Sequence, residues 1–179
     1  MSDRLHIKIV SSEALSDPDK RAIISLCNLA YEEDLEPLFN TFVDATHVLG
    51  TFRSSLVGHA LWVTRWLQPG NEAPLRTAYV EAMATHPDFR RRGFATQIMT
   101  ALGEAIRSFE LGALCPDLGI ADLYEKLGWE FWRGPLFIRA GHELLSTPTE
   151  RVMVRRLPQT PLLDLQAPLS AEWREGELW

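Results

Sequence analysis

The chain has 179 residues, 46% of them hydrophobic and 23% charged, a length and composition that suit one soluble domain with an ordinary core. Its formal net charge of −6 argues against nonspecific nucleic-acid binding, which needs clustered Lys and Arg to meet phosphates. No apolar run reaches the length of a membrane span, and the opening MSDRLHIKIV lacks a signal-peptide core.

Residues 4–10, RLHIKIV, alternate like a half-buried strand, and Asp17-Pro18 supplies a helix start. A helix over 18–31 follows, with Ile23, Leu26, Cys27, Ala30 and Tyr31 forming one buried stripe. Cys27 and Cys115 lie far apart without C-x-x-C spacing, so neither a disulfide nor a metal knuckle is expected, and a reducing cytoplasmic location is the default. Glu32-Glu33-Asp34 falls at the helix C-terminus, where the dipole disfavours negative charge, and this hints at a role beyond helix stability.

Strands read at 47–53 and 56–67 around the turn Arg53-Ser54-Ser55, and a third at 75–85. A helix over 94–109, a short strand Leu111 to Cys115 and a helix over 119–127 ending at Gly128 come next. Trp129–Arg133, Phe137–Ala140 and Val152–Leu157 read as closing strands, and Pro158–Ser170 as a surface loop ahead of EWREGELW. This order predicts one mixed α/β sheet with helices on both faces. His47, His59 and His86 lack metal-ligand spacing, and no metal or catalytic role is expected of them.

The segment YVEAMATHPDFRRRGFATQIMTALGEAI carries the functional reading. Gly93 and the small Ala95 let a backbone approach a ligand at a helix N-terminus, where N–H groups favour anions. Arg90, Arg91 and Arg92 add guanidinium groups suited to phosphate. Glu81, on the apolar strand ahead of the loop, is a carboxylate in a place where burial is costly unless it serves a site.

This region resembles the GNAT acetyltransferase superfamily, whose coenzyme motif is R/Q-x-x-G-x-G/A at a helix N-terminus. Together with LGALCP, LYEKLGW, FWRGPLF and the terminal EWREGELW, it is similar to the aminoglycoside 2′-N-acetyltransferases. The resemblance runs nearly the full length, and the W-R-x-G-x-x-W ending is its most distinctive part.

The resemblance implies a GNAT-like mixed central sheet over a single domain, 1–179, with a bulged strand at 78–85 splayed from the next strand to bind coenzyme A. It implies acetyl-coenzyme A as cosubstrate, with pantetheine on the backbone of Ala82, Met83 and Ala84. The pyrophosphate would rest on Arg91, Arg92, Gly93, Phe94 and Ala95, with Arg90 leading the motif. Glu81 matches a glutamate that contacts substrate and relays the amine proton through water, and Tyr124 matches a tyrosine acting as general acid. Packing of Tyr124 on Trp129 is the plainer structural alternative.

Asp34, Glu81, Glu150, Glu177 and the Trp179 carboxylate match positions that meet a polycationic aminosugar, with 158–179 as a tail folding back on the acceptor site. A homodimer is also implied. The chain departs from the family at Asn40 to His47, which lacks the usual glycines and bears on the register of Asp34. Glu150 and Glu177 stand where shorter aspartates are typical.

Overall fold

The computed structural model describes residues 4–179. Two compact units divide it: one takes the chain to Val63 and then Val80–Ala105, the other Thr64–Tyr79 and Ile106–Trp179. Two long strands run through both.

In the first unit, β1 (His6–Ser11) pairs antiparallel with β2 (Thr46–Phe52). Helix α1 (Asp17–Tyr31) lies between them in sequence. It begins where predicted because Ser16 and Asp19 form a reciprocal capping box and Pro18 occupies the first turn, where its missing N–H is no loss. Ile23, Leu26 and Cys27 are buried as the spacing requires, but Tyr31 is 46% exposed. The helix ends there, with Glu32 left-handed at φ 59°, so the last member of the expected stripe turns off the core. A four-residue helix, α2 (Glu36–Phe39), follows.

Strand β2 turns into β3 (Ser55–Pro69) through Arg53 and Ser54, both at positive φ (49° and 69°). Two left-handed central residues match the twist of a tight hairpin. β3 neighbours β4 (Leu75–Thr85), whose ends coincide with the predicted ones. Helix α3 (Phe94–Ala105) approaches the hairpin closely, since a Cβ at Gly58 would fall 2.3 Å from Ile98 Cδ1. Phe52, Val57 and Phe94 form a buried cluster beneath the start of this helix.

The second unit contains the outer parts of β3 and β4 with β5 (Leu111–Leu114), α4 (Ala121–Lys126), β6 (Trp129–Phe131) and β7 (Leu136–Ala140). β8 (Glu143–Ser146), β9 (Met153–Arg156) and β10 (Leu169–Glu172) complete it. β9 pairs antiparallel with both β5 and β6, while β10 runs antiparallel to β3 and parallel to β7, which makes the sheet mixed as expected.

Other details differ from the sequence reading: the helix expected over 119–127 is a 3-10 turn (Leu118–Ile120) followed by α4, and the strand expected to run to Arg133 ends at Phe131. Helix α3 stops at Ala105 instead of 109, because Glu110 is fastened to the main chain of Arg76 in β4, its N–H donating to the Arg76 carbonyl at 3.0 Å and its Oε2 accepting from the Arg76 N–H at 2.7 Å. β8 is an exposed hairpin arm with no buried alternation to reveal it. The stretch read as loop to Ser170 becomes β10 from Leu169, directly after a proline that hides the strand in sequence.

Candidate active site

Strand β4 is buried from Thr77 to Ala82, and its regular alternation breaks at Ala82, which has a φ of 49°. A left-handed alanine costs about 1–2 kcal/mol, so the surroundings must hold it. The Ala82 carbonyl accepts from His59 Nδ1 at 2.8 Å, with Cys27 Sγ at 3.9 Å. The next carbonyl, of Met83, accepts from the Tyr31 hydroxyl at 3.1 Å. Glu81, only 9% exposed, immediately precedes this irregularity, and Ala84 beyond it is buried.

After β4, a 3-10 turn (Pro87–Phe89) leads into Arg90–Gly93 and α3. Gly93 has a φ of 74° and a Cβ there would meet nothing within 4 Å, so glycine is required by the backbone conformation, and the loop's outer side stays open to a ligand. Arg91 shares the left-handed conformation at φ 61°. Arg92 lies over the Phe89 ring at 5.1 Å, leaving its charge at the exposed loop. Phe94 is buried and Ala95 half-buried at the helix start.

Arg90, which leads the motif, has a partner within the first unit. Its Nη2 donates to the Ala30 carbonyl at 2.9 Å, at the end of α1. That helix has no basic residue in its last turn, and Arg90 supplies the cation its C-terminal dipole favours. Asp34 is likewise engaged locally: its Oδ1 accepts from Asn28 Nδ2 at 3.3 Å and from the Glu36 N–H at 3.1 Å, which shapes the entry to α2.

In the second unit, Tyr124 on α4 is buried and meets Trp129 edge to face, ring centres 6.4 Å apart. Burial, followed by the nearby Asp117 charge, pushes its phenol up to about 12. Tyr124 therefore holds its proton at neutral pH and can act as a donor while also packing on Trp129. Glu150 is half-buried, with Oε2 3.9 Å from Cys115 Sγ, and lines a cleft of about 630 Å³ together with Phe131, Arg133, Thr147 and Arg151.

The chain's last residues return to this unit's body. Trp179 is 3% exposed and donates from Nε1 to Oγ1 of Thr147, a residue lining that cleft, at 2.8 Å. Arg65, 1% exposed, donates to Leu178 O and Glu172 O, each at 2.7 Å. Glu177 is exposed, and its carbonyl accepts from Arg174 Nε. The structure thus ties Trp179 to Thr147, which lines the same cleft as Glu150, while Glu177 lies on the surface of the tail.

Sequence reasoning missed Arg65, His47 and His59. The histidines stand on neighbouring strands at diagonal positions, His47 opposite Leu61 and His59 opposite Leu49, and only the hairpin register brings their rings together. Among the described residues no group of three or more His, Cys, Asp or Glu is placed to hold a metal, and no helix is long and apolar enough to cross a membrane.

A strand broken by a left-handed residue, followed by a glycine-containing basic loop that opens a helix, matches the acetyltransferase (GNAT) domain, whose family model covers residues 12–132. The chain belongs to this acetyltransferase family. An aminoglycoside 2′-N-acetyltransferase of Mycolicibacterium fortuitum is 30% identical to it, with 92% of this chain and 97% of that relative covered. Among solved structures, the GNAT family N-acetyltransferase YhbS from Escherichia coli, in complex with CoA, superposes with a TM-score of 0.67 at 16% identity, covering 98% of this chain and 92% of that one. Escherichia coli ElaA gives 0.62 at 13% identity, covering 86% and 100%.

Proposed function

We propose that the chain transfers an acetyl group from acetyl-coenzyme A to an amine of a cationic aminosugar antibiotic, acting as an aminoglycoside 2′-N-acetyltransferase and conferring resistance. The observation that carries this reading is Trp179, buried and hydrogen-bonded to Thr147, which lines the same cleft as Glu150. The relative in Mycolicibacterium fortuitum, similar over nearly the whole chain, supports the same substrate class.

The residues fit the coenzyme. The left-handed break at Ala82 and the open side of Gly93 are backbone features that suit a pantetheine chain and a pyrophosphate. Ala82, Met83 and Ala84 would hold the first, and Arg91, Arg92, Gly93, Phe94 and Ala95 the second, with Arg90 anchoring the loop to α1. When bound, acetyl-coenzyme A supplies an activated thioester. Glu81 takes the proton of the attacking amine through water, and Tyr124 gives its phenolic proton to the departing thiolate. Glu150, Glu177, Asp34 and the Trp179 carboxylate orient the substrate's ammonium groups. A cytoplasmic homodimer belongs to the same reading.

One observation favours a second acceptor. Arg133 and Arg151 line the cleft beside Glu150, which suits a less densely cationic amine, such as another small amine or a protein N-terminus. Thiol release from acetyl-coenzyme A, measured against aminoglycosides with and without a 2′-amine, separates the two. Release confined to drugs with a 2′-amine is the expected result, and release with simple amines alone would overturn it.

A further inference from the structure

A chain of buried polar contacts in the first unit takes no part in the chemistry proposed above. Ser12 Oγ lies 2.9 Å from His47 Nε2, His47 Nδ1 lies 2.9 Å from His59 Nε2, and His59 Nδ1 lies 2.8 Å from the Ala82 carbonyl. His59 is fully buried and His47 is 5% exposed.

The carbonyl fixes the protons along this chain. It can only accept, so His59 Nδ1 carries a hydrogen. In a neutral imidazole Nε2 is then an acceptor, which places the proton of His47 on Nδ1. His47 Nε2 is then an acceptor 2.9 Å from Ser12 Oγ, whose single hydroxyl proton is shared between that nitrogen and the Ala45 carbonyl at 3.0 Å. Burial lowers the pKa of both rings, to about 4 for His47 and about 3 for His59, so both are neutral as this pattern requires.

The consequence falls on the peptide joining Ala82 to Met83. In a trans peptide the C=O and N–H point in opposite directions, and the described chain contains no cis bond. Holding the Ala82 oxygen against His59 therefore aims the Met83 N–H away from it. Tyr31 does the same one residue on, holding the Met83 oxygen and aiming the Ala84 N–H.

We propose that His59, its tautomer set by the Ala82 carbonyl and matched by His47, is a positioning residue that holds the left-handed Ala82 peptide and so presents the N–H groups of Met83 and Ala84 to an acyl-coenzyme A pantetheine. This rests on the coenzyme reading above. Cys27, 3.6 Å from His59 Nδ1, does not replace it, because a thiol is a weak donor and its distance to the Ala82 oxygen is 3.9 Å.

The test compares wild type, His59→Leu and His59→Asn by calorimetry with coenzyme A, by kinetics with acetyl-coenzyme A and an amine acceptor, and by thermal unfolding. Leucine removes the donor, whereas the asparagine amide can place an N–H where Nδ1 stands. His59→Leu is expected to weaken coenzyme A binding and raise the acetyl-coenzyme A KM by about tenfold, the size of effect that follows from losing a buried hydrogen bond, with the amine KM little changed. His59→Asn should recover most of that loss even where its melting temperature is as low as that of the leucine variant. A folded His59→Leu protein with wild-type coenzyme affinity, or an asparagine variant as weak as leucine, would overturn the proposal. Nitrogen NMR of the wild-type imidazoles provides a test independent of variant folding: protons on both Nδ1 atoms are expected, and a proton on His59 Nε2 in place of Nδ1 overturns it. Wild-type protein that fails to bind coenzyme A would sink the coenzyme reading and this proposal with it, whereas tight wild-type binding with an unaffected leucine variant sinks the proposal alone.

Discussion

Arg65 donates from Nη1 to the main-chain oxygen of Leu178, 2.7 Å away across 113 positions of sequence. The same guanidinium lies over the rings of Tyr79 and Trp179, at 4.9 and 6.0 Å. Deleting Leu178-Trp179 takes away two of the groups around a buried cation, a carbonyl acceptor and a ring, while Glu172 stays, and losing a hydrogen bond to a charged group costs about 1.5–3 kcal/mol. The truncated protein is therefore expected to lose stability as well as aminosugar acetylation, and urea unfolding beside activity would show both. Trp179→Phe is the cleaner probe of acceptor binding. It removes the indole donor to Thr147, with an expected stability loss of about 1 kcal/mol and a higher aminoglycoside KM.

Tyr124→Phe keeps the edge-to-face contact with Trp129 and removes only the hydroxyl. The expected outcome is a kcat lower by about a hundredfold, with coenzyme affinity and melting temperature nearly unchanged. Because burial places the phenol at about 12, the wild-type kcat should show no alkaline fall from this group between about pH 7 and 10. Steady-state kinetics across that range would check both statements.

Gly93→Val places a β-branched residue at a φ of 74° without any neighbouring clash. The strain, about 1–2 kcal/mol, is expected to move the loop while the core remains folded, so the acetyl-coenzyme A KM rises and the amine KM does not. Arg90→Ala should behave differently. Losing the cation at the end of α1 is expected to lower stability by about 0.3–1 kcal/mol with a smaller kinetic effect. Thermal unfolding paired with KM measurements separates the two.

The histidine pair sets an acid limit on stability. Both rings are pushed down by burial from 6.5, His47 to about 4 and His59 to about 3. As pH falls below 6.5 the unfolded chain takes up protons that the folded chain refuses, so stability present above that pH is lost on the way down to those values. Each histidine contributes up to about 1.4 kcal/mol per pH unit in this window. Urea midpoints measured from neutral to mildly acidic pH should fall accordingly, and less steeply in His47→Asn.

What sequence could and could not reveal follows from the range of the interactions involved. Strand β4 and the start of α3 were legible because apolar alternation, Pro87 and the glycine loop are local signals. Glu81 and Gly93 stood out for the same reason. His59 did not, because its role depends on the hairpin register and on the φ of Ala82, neither of which a lone histidine announces. Arg65 looked like an ordinary strand residue, since its partners arrive more than a hundred positions later. Arg90 shows the converse: the motif identified the residue, but its contact with Ala30 exists only once α1 is folded.

β10 separates β3 from β7, pairing Leu169 with Pro69 on one side and with Leu136 on the other. In the sheet ladder the β7–β8 hairpin is therefore joined to β3 through a strand that follows it in the chain, and Arg139 reaches across to the Trp66 carbonyl at 2.6 Å. The link ahead of that strand carries Leu162 at 99% exposure, a natural point for a protease to cut. A molecule nicked there would keep its fragment through the β10 ladders and the Arg65 and Arg139 hydrogen bonds. It should run as one species on a sizing column and as two on a denaturing gel, so this stretch is where the protein can be divided into a large piece and a short complementing C-terminal fragment.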